Sequence, residues 1–373
     1  MRHTSNELYV DIVEKLEVIY APSGRPLSAI ANGTIAFTAK ISGVPDLILT
    51  LTAPGGQTGI GQSMSLPCFH PCVRLARWRE RPGELSFVPP DGRFVLAGYE
   101  CNLLPDIFAA PSITGKIQEP KLNLPVSIEI RTSQGANGDE FEARVTMNPK
   151  ATAEAEKMQA QAAALSGRIA AMGPGRLGGA GPGASTASGG SGSSAVEDLL
   201  VTIPVPPTVR NITELRASKG EAHYLATEGI VEWRISNKEA MTIGSLGATL
   251  RCTVVGPLET SDDDYGAQNL SMKTETFDYD DRVPASYQDT VKSPTDARTD
   301  SSTLRPQSKS QHTAALMPRS ASVSFSVKGW LASGIRVESL VVNAKTSKDV
   351  QVSAPYKGVK YLTVSRNGVE IRV

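Results

Sequence analysis

Apolar and polar residues alternate with period two through the opening of the chain. Leu8, Val10 and Ile12 alternate with Tyr9, Asp11 and Val13, and Leu16, Val18 and Tyr20 then run into the turn Pro22-Ser23-Gly24-Arg25-Pro26. Successive side chains of a strand point to opposite faces, so an alternating run closed by a Pro/Gly turn predicts a half-buried strand in a hairpin. The same signal predicts strands at 33–40 and 47–51 around Ser42-Gly43-Val44-Pro45-Asp46, then at 73–78, 84–88 and 93–100, the last two flanking Pro89-Pro90-Asp91-Gly92. A further pair, 125–131 and 140–147, spans a Gly-rich turn. Later strands are expected at 201–203, 223–225, 230–235, 246–255, 321–327, 335–342 and 357–364, with 368–373 closing the chain. Short strands and tight turns repeated in this way predict an all-β antiparallel sandwich.

Two stretches break the pattern. Residues 151–171 are Ala-rich, with Lys157, Gln159, Gln161 and Arg168, which predicts at most a transient helix. They lead into a run of Gly, Ala, Ser and Pro, so the whole of 151–196 is expected to be a disordered insert: side chains this small offer little burial to offset chain ordering. The second stretch, 257–319, begins acidic (Asp262-Asp263-Asp264) and turns Ser/Thr-rich, which again predicts a solvated insert. Ordered β-structure is expected over 6–149, 197–256 and 320–373.

Composition narrows the function. Lys+Arg and Asp+Glu are equal at 38 each, and no concentrated basic run appears, which argues against a nucleic-acid partner. No apolar run reaches the roughly 20 residues of a membrane span. The N-terminus lacks the pattern of a secretory signal, and four scattered cysteines fit a reducing compartment. Cys68-Phe69-His70-Pro71-Cys72 has spacing compatible with zinc, yet only Cys101 and Cys252 remain as further thiols, so a strand start with buried thiols is expected and no metal or other cofactor. His3, His70, His223 and His312 accompany no nucleophile elbow, zinc-protease run or P-loop, so the residues predict no enzyme. Asp11 stands out because it shares a strand face with Tyr9, although an aromatic beside an acid is commonly just a solvated face.

Several segments, taken in order, resemble one family. They are Asn6-Glu7-Leu8-Tyr9-Val10-Asp11-Ile12-Val13-Glu14, Ser42-Gly43-Val44-Pro45-Asp46-Leu47, Phe69-His70-Pro71-Cys72-Val73-Arg74-Leu75 and Leu85-Ser86-Phe87-Val88-Pro89-Pro90-Asp91-Gly92. Then follow Ile203-Pro204-Val205-Pro206-Pro207, Glu232-Trp233-Arg234-Ile235, Ser333-Gly334-Ile335-Arg336-Val337 and Tyr356-Lys357-Gly358-Val359-Lys360-Tyr361. Together they resemble the mu homology domain of the medium subunits of clathrin-type adaptor complexes, in a form most similar to that of the third adaptor complex. The likeness covers 6–373 apart from the inserts, without the longin-like domain that precedes it in the family.

The resemblance implies an elongated antiparallel β-sandwich made of two β-sandwich subdomains with long disordered inserts. It implies a non-enzymatic module that binds Tyr-x-x-bulky-hydrophobic signals from cytosolic tails of membrane cargo as an added β-strand. Further implied partners are the other subunits of a heterotetrameric adaptor complex. Apart from the resemblance, Arg77, Arg79 and Arg81 form a candidate rim for membrane phosphoinositides, with a solvated surface as the default reading. The implied location is the cytoplasmic face of Golgi and endosomal vesicles, on a route to the vacuole or lysosome. For the tyrosine pocket, the family pattern maps onto Tyr9, Asp11, Lys40, Gly358 and Lys360; for the hydrophobic pocket, onto Leu8, Val10, Val337, Leu340 and Val359. Relatives carry a tryptophan at the place of Gly358, a lysine at that of Thr38 and an arginine at that of Lys360. Losing an aromatic wall and a planar guanidinium predicts micromolar or weaker binding.

Overall fold

The computed structural model describes residues 3–104, 122–167, 196–244, 246–257, 313–343, 346–347 and 355–373. In chain order the elements are β1 (Glu7–Tyr20), β2 (Pro26–Lys40), β3 (Leu47–Thr52), α1 (Gln57–Ser63), β4 (Ser65–Phe69), α2 (Leu75–Glu80), β5 (Glu84–Phe87) and β6 (Gly92–Asn102). Next come β7 (Val126–Gln134), β8 (Glu140–Met147), α3 (Pro149–Gly167), β9 (Val196–Pro204), β10 (Asn211–Ala217), β11 (Glu221–Leu225), β12 (Ile230–Ile235), α4 (Asn237–Ala240) and β13 (Ala248–Val255). The last three are β14 (Ser320–Lys328), β15 (Arg336–Val342) and β16 (Tyr356–Arg372).

Among the described residues, sixteen strands form three sheets. A nine-stranded sheet in the order β11-β12-β9-β14-β16-β1-β2-β6-β4 is backed by a four-stranded sheet, β10-β13-β8-β7, and a three-stranded one, β15-β3-β5. The long sheet thus serves two sandwiches. Over β1 and β2 it packs on the three-stranded sheet, where the Phe37 and Phe87 rings meet edge to face at 5.1 Å between centroids; β14 and β16 contact β7 of the four-stranded sheet. Among the described strands pairing is antiparallel with one exception, the parallel pair β1–β16, which sets the first and last strands side by side. A parallel pair needs a long crossover, here nearly the whole chain.

The alternation of β1 is realised residue by residue. Leu8, Val10, Ile12, Leu16 and Val18 are fully buried, and so is Glu14 on the same face. The Glu14 carboxylate accepts from the Tyr99 hydroxyl at 2.7 Å and from the Ser333 N–H at 3.1 Å, and the Ser333 hydroxyl donates to it as well. Glu14, Gly33 and Tyr99 stand in one row across β1, β2 and β6. A Cβ on Gly33 would fall 2.0 Å from Tyr99 Cζ, so glycine is what lets the ring cross β2 to the acid. Burial raises the Glu14 carboxyl above its ordinary range, opposed by these hydrogen bonds.

Three expectations require correction. Residues 75–80, which overlap the strand expected at 73–78, form α2: Leu-Ala-Arg-Trp-Arg-Glu are fair to good helix formers between Pro71 and Pro82, and Val73 keeps a single bridge to Phe87. Cys68 is exposed and Cys72 half-buried, so the thiols buried in strands are Cys101 and Cys252. The third correction concerns the insert expected to be disordered over 151–196, whose first part is the packed helix α3. Asn148 caps it, its side chain accepting from the Lys150 N–H at 3.1 Å, and Pro149 fits the first turn. Ala151, Ala155, Met158 and Ala162 recur at helical spacing and are buried. Residues 168–195, and 258–312 of the second insert, lie outside the described residues. β4, α1, β10 and α4 have no counterpart among the expected elements.

Candidate functional site

The site is built where β1 and β16 run side by side. Cross-strand register sets Arg93, Thr38, Tyr9 and Gly358 in one row over β6, β2, β1 and β16. Asp11 stands two residues along, opposite Ala36 and Lys360. Odd residues of β1 point away from the core, so Tyr9 and Asp11 share the outer face of the long sheet with Lys360. Four of the five residues expected at the tyrosine pocket are therefore brought together: Tyr9, Asp11, Gly358 and Lys360.

Lys40 is not brought to them. It lies opposite Glu7, at the far side of Tyr9 from Asp11, with its ammonium 3.7 Å from the Glu7 carboxylate. The cation beside Asp11 is Arg93, whose Nη2 is 3.3 Å from Oδ2. Its side chain is 65% exposed and that of Asp11 22%, so solvent screens the pair and leaves the carboxylate able to exchange partners. Sequence reasoning missed Arg93 because β6 is distant in the chain; only the β2–β6 register and the Gly92 turn that starts β6 aim it at this face.

Gly358 leaves no hole. A Cβ there would sit 2.7 Å from Tyr9 Cδ1, which means the Tyr9 ring lies on the glycine backbone. The Tyr356 ring follows at 5.8 Å, tilted by 55°, and Tyr356 is 55% exposed. Two phenol rings thus supply aromatic surface at this end of β16. The Tyr9 phenol is raised by desolvation, with the Glu7 carboxylate adding to the effect.

The five residues expected at the hydrophobic pocket face the other way, into the space between the sheets. Leu8, Val10, Val337 and Leu340 belong to the core cluster and Val359 is half-buried against it. Leu8 and Val10 are 0% exposed, so in this structure they are sealed, and Val359 is the member reached from outside. Lys357 stretches over the gap and donates to the Leu340 carbonyl; burial lowers its pKa. The Tyr361 hydroxyl accepts from the Val337 N–H at 2.9 Å and pins β15 to β16 from within.

Between the two faces runs a backbone edge. β1 pairs with β16 from Tyr356 onward, whereas β14 pairs only from Leu362 to Arg372. Among the described residues, no strand pairs with 356–361 on the side away from β1. Gly329 N–H donates to the Tyr361 carbonyl at 2.9 Å on that side, and Tyr356 N–H donates to Asn6 on the other. Backbone groups of a strand alternate in direction, so Val359 and Lys357 aim N–H and C=O outward with Tyr361. A cavity of about 590 Å³ adjoins this edge, lined by Asp11, Val359, Lys360 and Tyr361 with Gln159 and Ala163 of α3.

The other candidates separate from this site. In Cys-Phe-His-Pro-Cys, His70 Nδ1 accepts from the Cys72 N–H at 3.2 Å, closing a turn, and burial raises the Cys72 thiol. Desolvation pushes Cys101 and Cys252 up to about 12, leaving them as neutral core residues. Arg77 of α2 and Arg81 just beyond it share Glu84, so two of the three residues of the expected basic rim are paired, and Arg74 before the helix binds Asp46 at 2.6 Å. Among the described residues no helix is long and apolar enough to cross a membrane.

A model described as the adaptor complexes medium subunit family matches residues 1–373. The chain is 38% identical over 102 residues to AP-3 complex subunit mu-2 of Homo sapiens, which is 27% of this chain and 22% of that relative. It is 39% identical over 102 residues to AP-3 complex subunit mu-1 of Rattus norvegicus, again 27% and 22%. These matched stretches span under a quarter of the relatives' length. Among structures, a homology model of the full-length AP-3 complex in an intermediate open conformation superposes with TM-score 0.54 at 17% identity, covering all of this chain and 69% of that one. A yeast delta-COP-I mu-homology domain gives TM-score 0.48 at 10% identity over the full length of both.

Proposed function

The chain belongs to the adaptor complexes medium subunit family, and from that premise we propose that it is a cargo-recognition module, without catalytic activity, for Tyr-x-x-bulky-hydrophobic sorting signals. The observation that carries this reading is the singly paired stretch of β16, with Asp11 and Lys360 on one side and Val359 on the other. A peptide added there continues the ladder through the outward groups of Lys357 and Val359. Tyrosine and the bulky residue stand three apart, an odd number, so their side chains leave an added strand on opposite faces. The tyrosine then meets Asp11, Arg93 and the Tyr9 and Tyr356 rings, while the hydrophobic side chain turns inward towards Val359, Val337 and Leu340.

Chemistry at the outer face sets selectivity. Asp11 accepts the phenol proton of the cargo tyrosine; phenylalanine leaves that acceptor without its donor, and phosphotyrosine brings about two negative charges against a carboxylate. Cytosolic tails of membrane cargo are the proposed ligands, the other subunits of a heterotetrameric adaptor complex the proposed neighbours, and transport from Golgi or endosome to vacuole or lysosome the proposed setting. Titration with a Tyr-x-x-Leu peptide and its phenylalanine and phosphotyrosine forms tests the site. Tyrosine is expected to bind best, in the micromolar range or weaker, and equal affinity for all three sinks the assignment.

One observation favours a second reading. Leu8 and Val10 are sealed, as in a partner-binding β-domain whose hydrophobic pocket no longer opens. Peptide binding that is insensitive to Asp11→Ala supports this alternative.

A further inference from the structure

We propose that α3 is an internal occupant of the peptide-accepting edge of β16, so that the chain holds its own binding site closed until the helix is displaced. This deepens the proposed function and rests on it. The helix packs against β16 and β14, and its buried stripe of Ala151, Ala155, Met158 and Ala162 runs through three of its five turns. At the point where β14 leaves β16, a Cβ on Gly329 would lie 2.8 Å from both the Ala155 carbonyl oxygen and the Gln159 Cβ. The helix backbone is therefore seated on the start of the singly paired edge.

Its neighbours on either side fix where it lies. Gln161 accepts from Arg336 of β15, in the opposing layer, at 3.4 Å. Gln159, Ala162 and Ala163 line the cavity with Asp11, Arg93 and Lys360 of the long sheet's outer face. A helix that touches β15 on one side and the outer face on the other lies beside the edge, where an added strand would run. That strand must come within about 4.8 Å of β16, while a helix with its side chains is about 10 Å across, so both do not fit beside Val359.

The docking surface is suited to release. It consists of three alanines and a single long side chain, Met158, so little apolar area resists displacement. With the site competent only when α3 is undocked, the apparent dissociation constant is the intrinsic one divided by the undocked fraction.

The test uses the intact chain. Met158→Asp puts a charge into the buried stripe, and Ala155→Gln drives a long side chain against Gly329; each is expected to tighten binding of a Tyr-x-x-Leu peptide about tenfold or more. Adding Asp11→Ala to each variant is expected to abolish that gain. In the unmodified chain, peptide saturation is expected to speed amide hydrogen exchange over 151–163. Unchanged or weaker binding by the variants, with Asp11 dependence kept, overturns the occupant role and leaves the site assignment standing. Peptide binding that is absent or independent of Asp11 in every form overturns both. If the variants do not fold, exchange in the unmodified chain decides: unchanged or slower exchange in α3 rejects the proposal.

Discussion

The two halves of β16 are one continuous strand with different surroundings. From Leu362 to Ile371 it lies between β1 and β14, with the β1 register interrupted by a shift between Lys15, opposite Val364, and Val18, opposite Val369. From Tyr356 to Tyr361 it is paired by β1 alone. The acids of β1 follow the same division. Glu14 faces Thr363 at the doubly paired half and is sealed in the core; Asp11, three residues earlier and so on the opposite face, stands opposite Lys360 at the half-paired end and reaches solvent. Where both ladders are present the backbone groups are used within the sheet; at Tyr356–Tyr361, among the described residues, no strand pairs on the side away from β1.

The largest expected effect comes from proline scanning along β16. Val364→Pro, between β1 and β14, removes a ladder donor from the sheet centre and is expected to cost about 3 kcal/mol or more in chemical denaturation. Val359→Pro removes a donor aimed at the open side, and is expected to cost markedly less stability while weakening Tyr-x-x-Leu binding at least about tenfold. Similar destabilisation by both would erase the distinction between the halves.

Asp11→Ala follows in size. Losing a hydrogen bond to a charged group is worth about 1.5–3 kcal/mol, so peptide affinity is expected to fall roughly 10- to 100-fold in calorimetric titration, with the thermal midpoint little changed. A matching loss of stability would place Asp11 with Glu14 as a structural acid.

Glu14 gives a pH signature of its own. Burial raises its folded pKa above the ordinary 4.5, so over the interval between those values the folded state binds more protons than the unfolded chain. Its contribution to stability is fully present below the unfolded value and is lost as pH rises through the folded one. Stability of the wild type is expected to fall more steeply than that of Glu14→Gln from pH 4.5 upward; parallel profiles would show that the carboxyl is not held in this way.

The smallest effects belong to exposed cations. Arg93→Ala is expected to change stability by no more than about 0.5 kcal/mol and to weaken peptide binding a few-fold, whereas Lys40→Ala should leave binding unaltered. The reverse order would return Lys40 to the tyrosine site.

Much of β1 was legible in advance because period two is a direct image of a strand with one dry face. Leu8, Val10 and Ile12 fall inward and Tyr9 and Asp11 outward as the alternation requires. Short runs misled: Val73 and Leu75 imitate two steps of a strand, but Leu75–Glu80 closes as a helix between two prolines. In α3 the buried side chains are mostly alanines, whose contribution depends on how near another element comes, and hydrophobicity alone did not reveal the packing.

By itself the sequence determined the all-β class and the inward and outward faces of β1, because side-chain direction in a strand is set locally by residue parity. Only the tertiary structure decided that Arg93 rather than Lys40 meets Asp11, that Tyr9 and Tyr356 cover Gly358, and that α3 packs against β16. Those facts depend on which distant strands become neighbours and in what register, and packing over the whole chain sets both.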